Sequence, residues 1–451
     1  MSPLVIADIA KVAKGGSSRH SRGGSKKPDN PCDNEPTMGA AAQPTNGSGK
    51  EPHKNGSSKE PKIKHPERLR IALLAWYRAH KRDLDWRRTR DPYAIWISEI
   101  MLQQTRVAAV TPYYRSFLAR FPSARQLATA RLDSVLRYWA GLGYYRRARH
   151  LHRAAKQIVS RHGGEFPRGH AEALALPGIG NYTAAAVLSI AYNAPLAVVD
   201  GNVARVLARL GAVPGELRTP AVWRRLTAMA AALLAPDASG DWNQAMMELG
   251  ATICTPQSPH CAACPVSDWC KARALGIANS LPAAQKKPAK VRILLAAAVL
   301  LDPQGRTLLV RPPDGDKRSG DNHAVPEHGV LFSRLWQFPA IARRVTPVGR
   351  NRASHRSANR TINNATRRLA RHLEQTLGIS APLLEPLATA KHAVTFRDIR
   401  LVPFLVRVRR LPAVPGARIL PIAEIDRLPV SSATRKIAAS VARVLPAHYA
   451  G

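Results

Sequence analysis

Negative charge is scarce in this 451-residue chain: 30 Asp and Glu stand against 68 Lys and Arg, a formal net charge of +38. The imbalance predicts a polyanionic partner, most simply nucleic acid. A coding bias toward Arg and Ala is the competing source. Cysteine is also scarce, at five residues, four of them within seventeen positions, which makes a poor disulfide framework for a chain of this size. No apolar run reaches about 18 residues, so no membrane-spanning helix is expected. The longest candidate, LLAAAVLLDPQG, breaks at Asp302 and reads as a strand entering a turn. The N-terminus has no compact apolar segment followed by a small-residue cleavage site, so no secretory signal is expected. These absences together lead us to expect a chromosome-associated protein of the bacterial cytoplasm, with no membrane partner; a nuclear protein is the alternative that the basic N-terminal stretch leaves open.

What is present divides the chain. Residues 1–65 are rich in Gly, Ser, Pro, Asn and Lys and lack the apolar surface to order themselves, so a disordered basic tail is expected. Residues 66–279 carry helical periodicity. ERLRIALLAWYRAH puts Leu69, Leu73, Trp76 and Tyr77 on one face, and NVARVLARLGAV does the same with Val203, Val206, Leu207 and Leu210. Residues 280–290 form a Pro/Lys linker. Beyond it, over 291–451, VRILLAAAVLLDPQGRTLLVRPP reads as strand, turn, strand. KHAVTFRDIRLVPFLVRV supplies further strands, and TRRLARHLEQTLGI a helix ending at Gly378. The expectation is an all-α domain followed by an α+β domain. Two stretches of the latter, PPDGDKRSGDNHAVPEHG and ARRVTPVGRNRASHRSANRT, read as basic loops.

Three local patterns carry chemistry. Four cysteines, Cys254, Cys261, Cys264 and Cys270, follow Cys-x6-Cys-x2-Cys-x5-Cys. Four thiolates in one tight loop suit a [4Fe–4S] cube. All-cysteine zinc is the alternative, although zinc ribbons usually pair two Cys-x2-Cys knuckles and only one is present. LPGIG, Leu176 to Gly180, is a turn between helices in which Gly178 and Gly180 permit close approach. The helix starting near Asn181 adds its positive end, and together they suit one DNA phosphate. Such a contact positions the protein without reading sequence. An ordinary helix–helix turn has the same composition.

The third pattern is a pair of carboxylates. Asp200, in AVVDGNVARVLARL, stands just before a helix, where the dipole and nearby N–H groups favour its charged form. A plain N-cap aspartate looks the same. Glu99, in SEIMLQQT, follows an expected N-cap at Asp91 and N1 at Pro92, with Ile95, Trp96, Leu102 and Gln103 one turn away. Apolar neighbours raise a carboxyl pKa, as a general acid requires. Two carboxylates pushed in opposite directions divide the labour into proton donor and standing anion.

The stretches WISEIMLQQTRV, GLGYYRRARHLH, LPGIGNYTA and VVDGNVARVLARL, with the cysteine spacing, together resemble the helix-hairpin-helix base-excision glycosylases. Within them the chain is similar to adenine DNA glycosylases of the MutY type. The resemblance runs from about Leu84 to Cys270, and more loosely through a C-terminal Nudix-like domain. It implies removal of adenine paired with 8-oxoguanine or guanine in double-stranded DNA by a monomeric, monofunctional enzyme with a [4Fe–4S] cluster on the four cysteines. It also implies roles. Glu99 protonates adenine N7, while Asp200 stabilises the oxocarbenium-like sugar or adds to it transiently. Tyr182 places a hydroxyl beside that carboxylate, and Asn202 orients it. Gln104 and Tyr144 wedge into the duplex. Arg87, Thr105, Leu142, Gly178, Gly180 and Thr395 complete the DNA-binding set.

Related lyases carry a lysine where this chain has Tyr182. A thymine-directed relative can carry Tyr there, but Glu99 and the added C-terminal domain argue against that reading. The C-terminal domain lacks the carboxylate set of a Nudix box, so recognition of the oxidised guanine, not nucleotide hydrolysis, is expected of it. Its recognition loop reads Val394-Thr395-Phe396 where the family often has Phe-Ser-His. A reading of a different class is a DNA-binding protein with a structural metal centre and no catalysis.

Overall fold

The structure, a computed structural model, describes residues 63–284, 289–311, 335–345, 355–380, 382–394 and 396–444. The tail before Ile63 with Cys32, the first basic insert and Thr395 lie outside the described residues.

The helical part begins with α1 (Pro66–His80), α2 (Pro92–Leu102), α3 (Val107–Arg120), α4 (Ala124–Thr129), α5 (Leu132–Trp139) and α6 (Arg146–Arg161). It continues with α7 (His170–Leu174), α8 (Asn181–Tyr192), α9 (Gly201–Leu210), α10 (Pro220–Leu233), α11 (Ser239–Thr252) and α12 (Lys271–Ala274). These helices gather around two apolar cores. One joins α2 to α8 around Trp96, Phe117 and Trp139. The other brings α1 back to pack with α9, α10 and α11 around Leu73, Leu207 and Trp242.

The central element is α2. Asp91 caps it, accepting from Tyr93 N and Ala94 N, and Pro92 supplies N1. Every residue from Tyr93 to Met101 is buried, Glu99 included. A helix apolar on all sides belongs in a core, and this one carries a carboxylate into it.

In the second part a mixed sheet runs β4-β6-β1-β2-β7, with β3 added on β1 and β5 on β6. The strands are β1 (Val291–Leu301), β2 (Arg306–Leu309), β3 (Ala340–Arg344), β4 (Glu385–Pro386), β5 (Ala390–Val394), β6 (Arg397–Arg407) and β7 (Arg418–Pro421). The long pair β1 and β6 is parallel, in register from Val291↔Arg397 to Leu301↔Arg407. The continuous apolar run of β1 follows from burial on both faces. Ile293, Leu295, Ala297 and Val299 face a core shared with α14 (Ser432–Ala442), while Leu294, Ala296, Ala298 and Leu300 face α13 (His355–Leu377). Asp302 forms the turn into β2, accepting from Gln304 N and Arg306 N at 3.1 and 2.8 Å.

The second basic stretch is not a loop throughout. It starts inside β3, and from His355 onward it is the first part of α13, which begins eleven residues before the expected helix at Thr366. The polar run 355–365 lacks the apolar rows that made the later turns recognisable.

The two parts meet at α5 and the segment after it. Arg311 Nη1 pairs with Asp133 Oδ1 at 2.6 Å, and Arg435 Nη1 donates to Ala140 O at 3.3 Å. Leu335 is fully buried in the core of α2 to α8, whereas its neighbour Trp336 is buried in the sheet core.

Candidate active site

Glu99 and Asp200 arrive from the two helical cores. Glu99 is 5% exposed on α2. Burial pushes its carboxyl up to about 7; the Tyr182 hydroxyl and Arg87 pull it down, and Asp200 pushes it further up. Tyr182, on the first turn of α8, donates to Glu99 Oε2 at 2.9 Å and lies 3.5 Å from Met247 Sδ. The hydroxyl expected beside Asp200 is therefore bonded to the other carboxylate. Asp200 still acts on it electrostatically, so the three groups share one neighbourhood.

Asp200 is the N-cap of α9. It accepts from Asn202 N at 2.9 Å, Val203 N at 2.7 Å and Asn202 Nδ2 at 3.0 Å. Burial raises its carboxyl above the ordinary value, and these three hydrogen bonds with Arg205 offset only part of that rise. The sequence-based expectation of a carboxylate simply favoured in its charged form is thus corrected: α9 starts inside the protein, and desolvation outweighs the cap. Asn202 cannot turn its amide over, because its Oδ1 accepts from Arg205 Nη2 at 2.9 Å. Gly250 of α11 lets this happen. A Cβ there would stand 2.8 Å from Asn202 Cβ and 3.0 Å from Asn202 O.

The expected DNA contacts divide. Gly178 and Gly180 are exposed, while Leu176 and Ile179 between and beside them are buried, so the hairpin turns its backbone outward. Gly178 has φ +79°, and a Cβ would meet His150 at 2.5 Å. Gly180 has ordinary extended backbone as N-cap of α8. Gln104 is exposed with φ +55°, and Tyr144 is half-buried with φ +46°. Three others point inward. Leu142 is a core residue, 6% exposed. Thr105 Oγ1 accepts from Arg147 Nη2 at 3.2 Å. Arg87 Nη2 donates to Glu248 Oε2 at 2.7 Å, and its side chain is 10% exposed. Arg82 binds the same carboxylate at 2.8 and 2.7 Å. Burial pushes Glu248 up, but the hydrogen bonds from Arg82 and Arg87 win and hold it at about 2. Arg87 thus closes a buried ion network in place of presenting a free cation to a phosphate.

Several site residues escaped the sequence reading: Arg147, Arg205, Arg209, Gln103 and Glu248. Gln103 Nε2 donates to Thr183 Oγ1 at 3.2 Å, tying the end of α2 to α8. Arg205 and Arg209 sit at buried positions of α9, where their carbon stems extend the apolar face. Arg205 Nε donates to Cys254 O at 2.9 Å, and Arg209 Nη1 lies 3.2 Å from Cys254 Sγ and 2.7 Å from Thr255 O. The only sequence signal for the two arginines of α9 is their spacing, four apart on a largely apolar helix; the cysteine loop they reach begins more than forty residues later.

The four thiols are half-buried and unbridged. They feel one another's charge, and Cys264 is pushed to about 11, chiefly by burial, with the other three adding to it. Yet among the described residues no three His, Cys, Asp or Glu side chains gather closely enough to hold one metal ion. Zinc at about 2.3 Å from each sulfur would draw four sulfurs to within roughly 4 Å of one another. An iron–sulfur cube, whose irons each take one thiolate, accommodates a wider set. The donor set and Arg209 beside Cys254 fit that anionic group.

Comparison with known proteins agrees. The model of the iron–sulfur binding domain of endonuclease III matches residues 254–270. The HhH-GPD superfamily of base excision DNA repair proteins matches residues 97–230. These residues form an HhH-GPD domain. Its α7, hairpin and α8 are the helix-hairpin-helix, and its four-cysteine extension is the [4Fe–4S] loop. The chain is 48% identical over 215 residues to adenine DNA glycosylase of Homo sapiens, covering 46% of this chain and 39% of that protein. It is 37% identical over 314 residues to adenine DNA glycosylase of Arabidopsis thaliana, covering 61% and 48%. The matched part is therefore less than half of each relative. Among solved structures, a thermostable thymine-DNA glycosylase is 28% identical with TM-score 0.42, covering 47% of this chain and 97% of that one. A MutT protein from Methanosarcina mazei is 14% identical with TM-score 0.24, covering 36% and 98%. Among the described residues no helix is long and apolar enough to cross a membrane.

Proposed function

We propose that the chain is a monofunctional adenine DNA glycosylase, hydrolysing the N-glycosidic bond of adenine mispaired with 8-oxoguanine or guanine in duplex DNA. The observation that carries this reading is the buried Glu99, with a carboxyl near 7, in the same electrostatic neighbourhood as the hydrogen-bonded Asp200. The target base is flipped out of the stack. Glu99, protonated below about pH 7, gives its proton to adenine N7 and turns a poor anionic leaving group into a neutral one. Positive charge then develops on the sugar. Asp200, aimed by Asn202, Val203 N and the Arg205 behind Asn202, stabilises that charge. Tyr182 holds the Glu99 carboxyl in place. Cys254, Cys261, Cys264 and Cys270 would hold the cluster; when bound it pins the loop beside α9.

The protein acts as a monomer on chromosomal DNA. The bacterial cytoplasm remains our proposed setting, although the matched relatives include human, plant and Buchnera proteins. The Nudix-like domain reads the base opposite adenine.

The test is single-turnover base release from duplexes with adenine opposite 8-oxoguanine or guanine. Glu99→Gln and Asp200→Asn should each lower the rate at least about a hundredfold. Wild-type rates in both variants would sink the assignment. Tight, salt-sensitive binding without release from any mispair would mark a DNA-binding protein without catalysis.

A further inference from the structure

One cation outside the carboxylate pair organises everything that surrounds it. Arg147, in the first turn of α6, carries no carboxylate partner among the described residues. Its Nη1 donates to Ile100 O at 2.8 Å, Met101 O at 3.0 Å and Gln103 O. Its Nη2 donates to Thr105 Oγ1 at 3.2 Å, Leu142 O at 3.3 Å and Gly143 O at 3.5 Å. The guanidinium lies over the Trp139 ring at 5.4 Å and the Tyr144 ring at 5.3 Å. Its Nε is buried without a hydrogen-bond partner, so the fork is placed for its two ends.

The carbonyls on one side are those that a helix leaves unpaired at its C-terminus, here the end of α2 immediately after Glu99. Those on the other side belong to the turn leading into Tyr144. Each segment culminates in a non-glycine residue with left-handed backbone, Gln104 at φ +55° and Tyr144 at φ +46°. Such conformations persist only where surrounding contacts over-determine them, and one planar fork supplies those contacts to both. A lysine has no planar fork to span both carbonyl sets.

We propose that Arg147 is a positioning residue that locks the Gln104 and Tyr144 tips to each other and to the end of the Glu99 helix, so that both tips enter duplex DNA as one body. The inference rests on the glycosylase reading for its consequence in DNA, but the lock itself is a property of the free protein. Amide hydrogen exchange of the full chain tests it. Arg147→Lys should speed exchange at 103–105 and at 141–144 together, by about tenfold or more. Thr105→Val, a near-isosteric change that removes one anchor, should speed exchange in both segments to a smaller extent. Exchange rising only around residue 105 in Thr105→Val, or in neither segment in Arg147→Lys, overturns the lock. In single-turnover base release, Gln104→Ala and Tyr144→Ala should combine less than multiplicatively in the parent chain, and multiplicatively with Arg147→Lys added. Equal coupling in both backgrounds also overturns it. If the parent chain releases no base, the glycosylase reading fails, and exchange alone decides the lock.

Discussion

At the scale of single residues, the decisive quantity is the proton on Glu99. Its folded-state value near 7 lies above the ordinary 4.5, so burial favours the neutral form. The stability this group contributes is full below about pH 4.5 and is lost as pH rises through 7. The acid that we propose for base release disappears over the same upper range. We expect the single-turnover rate to fall on the basic side with an apparent pKa near 7, a value belonging to the coupled pair with Asp200. Tyr182→Phe removes the hydrogen bond that lowers this value. The basic limb should therefore move to higher pH, which a pH–rate profile measures; a shift to lower pH would contradict the assignment of the hydroxyl to Glu99. Much at this scale was legible in advance. Asp91, Pro92 and Asp200 announced themselves by cap chemistry, and the cysteines by spacing. Arg147, Arg205 and Glu248 did not, because a charged residue reads as surface until its partners, some more than 150 positions away for Glu248, are known.

At the scale of elements, the site is a meeting of helix ends. The end of α2, the start of α8 and the start of α9 converge, and α11 packs close enough to hold them. Gly250 sets that last approach. Gly250→Ala should push Asn202 aside, cost about 1–3 kcal/mol of stability and lower base release while leaving the Glu99 pH limb unmoved; thermal melting with single-turnover kinetics separates the two effects. Periodicity located α1 and α9 well. For α2 the guide was cap chemistry at Asp91 and Pro92, since burial on all sides leaves no single apolar face to count; periodicity placed the start of α13 too late because a polar first half has no apolar row to count. The hairpin glycines were readable as a turn, but only Gly178 carries the backbone conformation that demands glycine.

At the scale of the whole molecule, two parts distinct in sequence are less separable in space. The switch from helical to strand periodicity correctly announced both, and the apolar run of β1 announced a central strand. Nothing in the sequence announced that Leu335, in the largely apolar run VLFSRLWQF, parts from its neighbour Trp336 and fills the core of α2 to α8. Leu335→Ala should cost about 2–5 kcal/mol, seen in denaturant melts, although the residue lies far along the chain from every catalytic group. Equal stability of parent and variant would contradict its burial in that core.

The adjacency of Leu335 and Trp336, one residue in each core, also has a calorimetric meaning. A peptide unit that anchors two cores at once cannot be released from one without loosening the other. Heating should therefore give one endotherm where two tethered modules would give two. A destabilising substitution in the sheet part would then show itself as lost abundance of the whole chain, with the proposed base release per folded molecule intact.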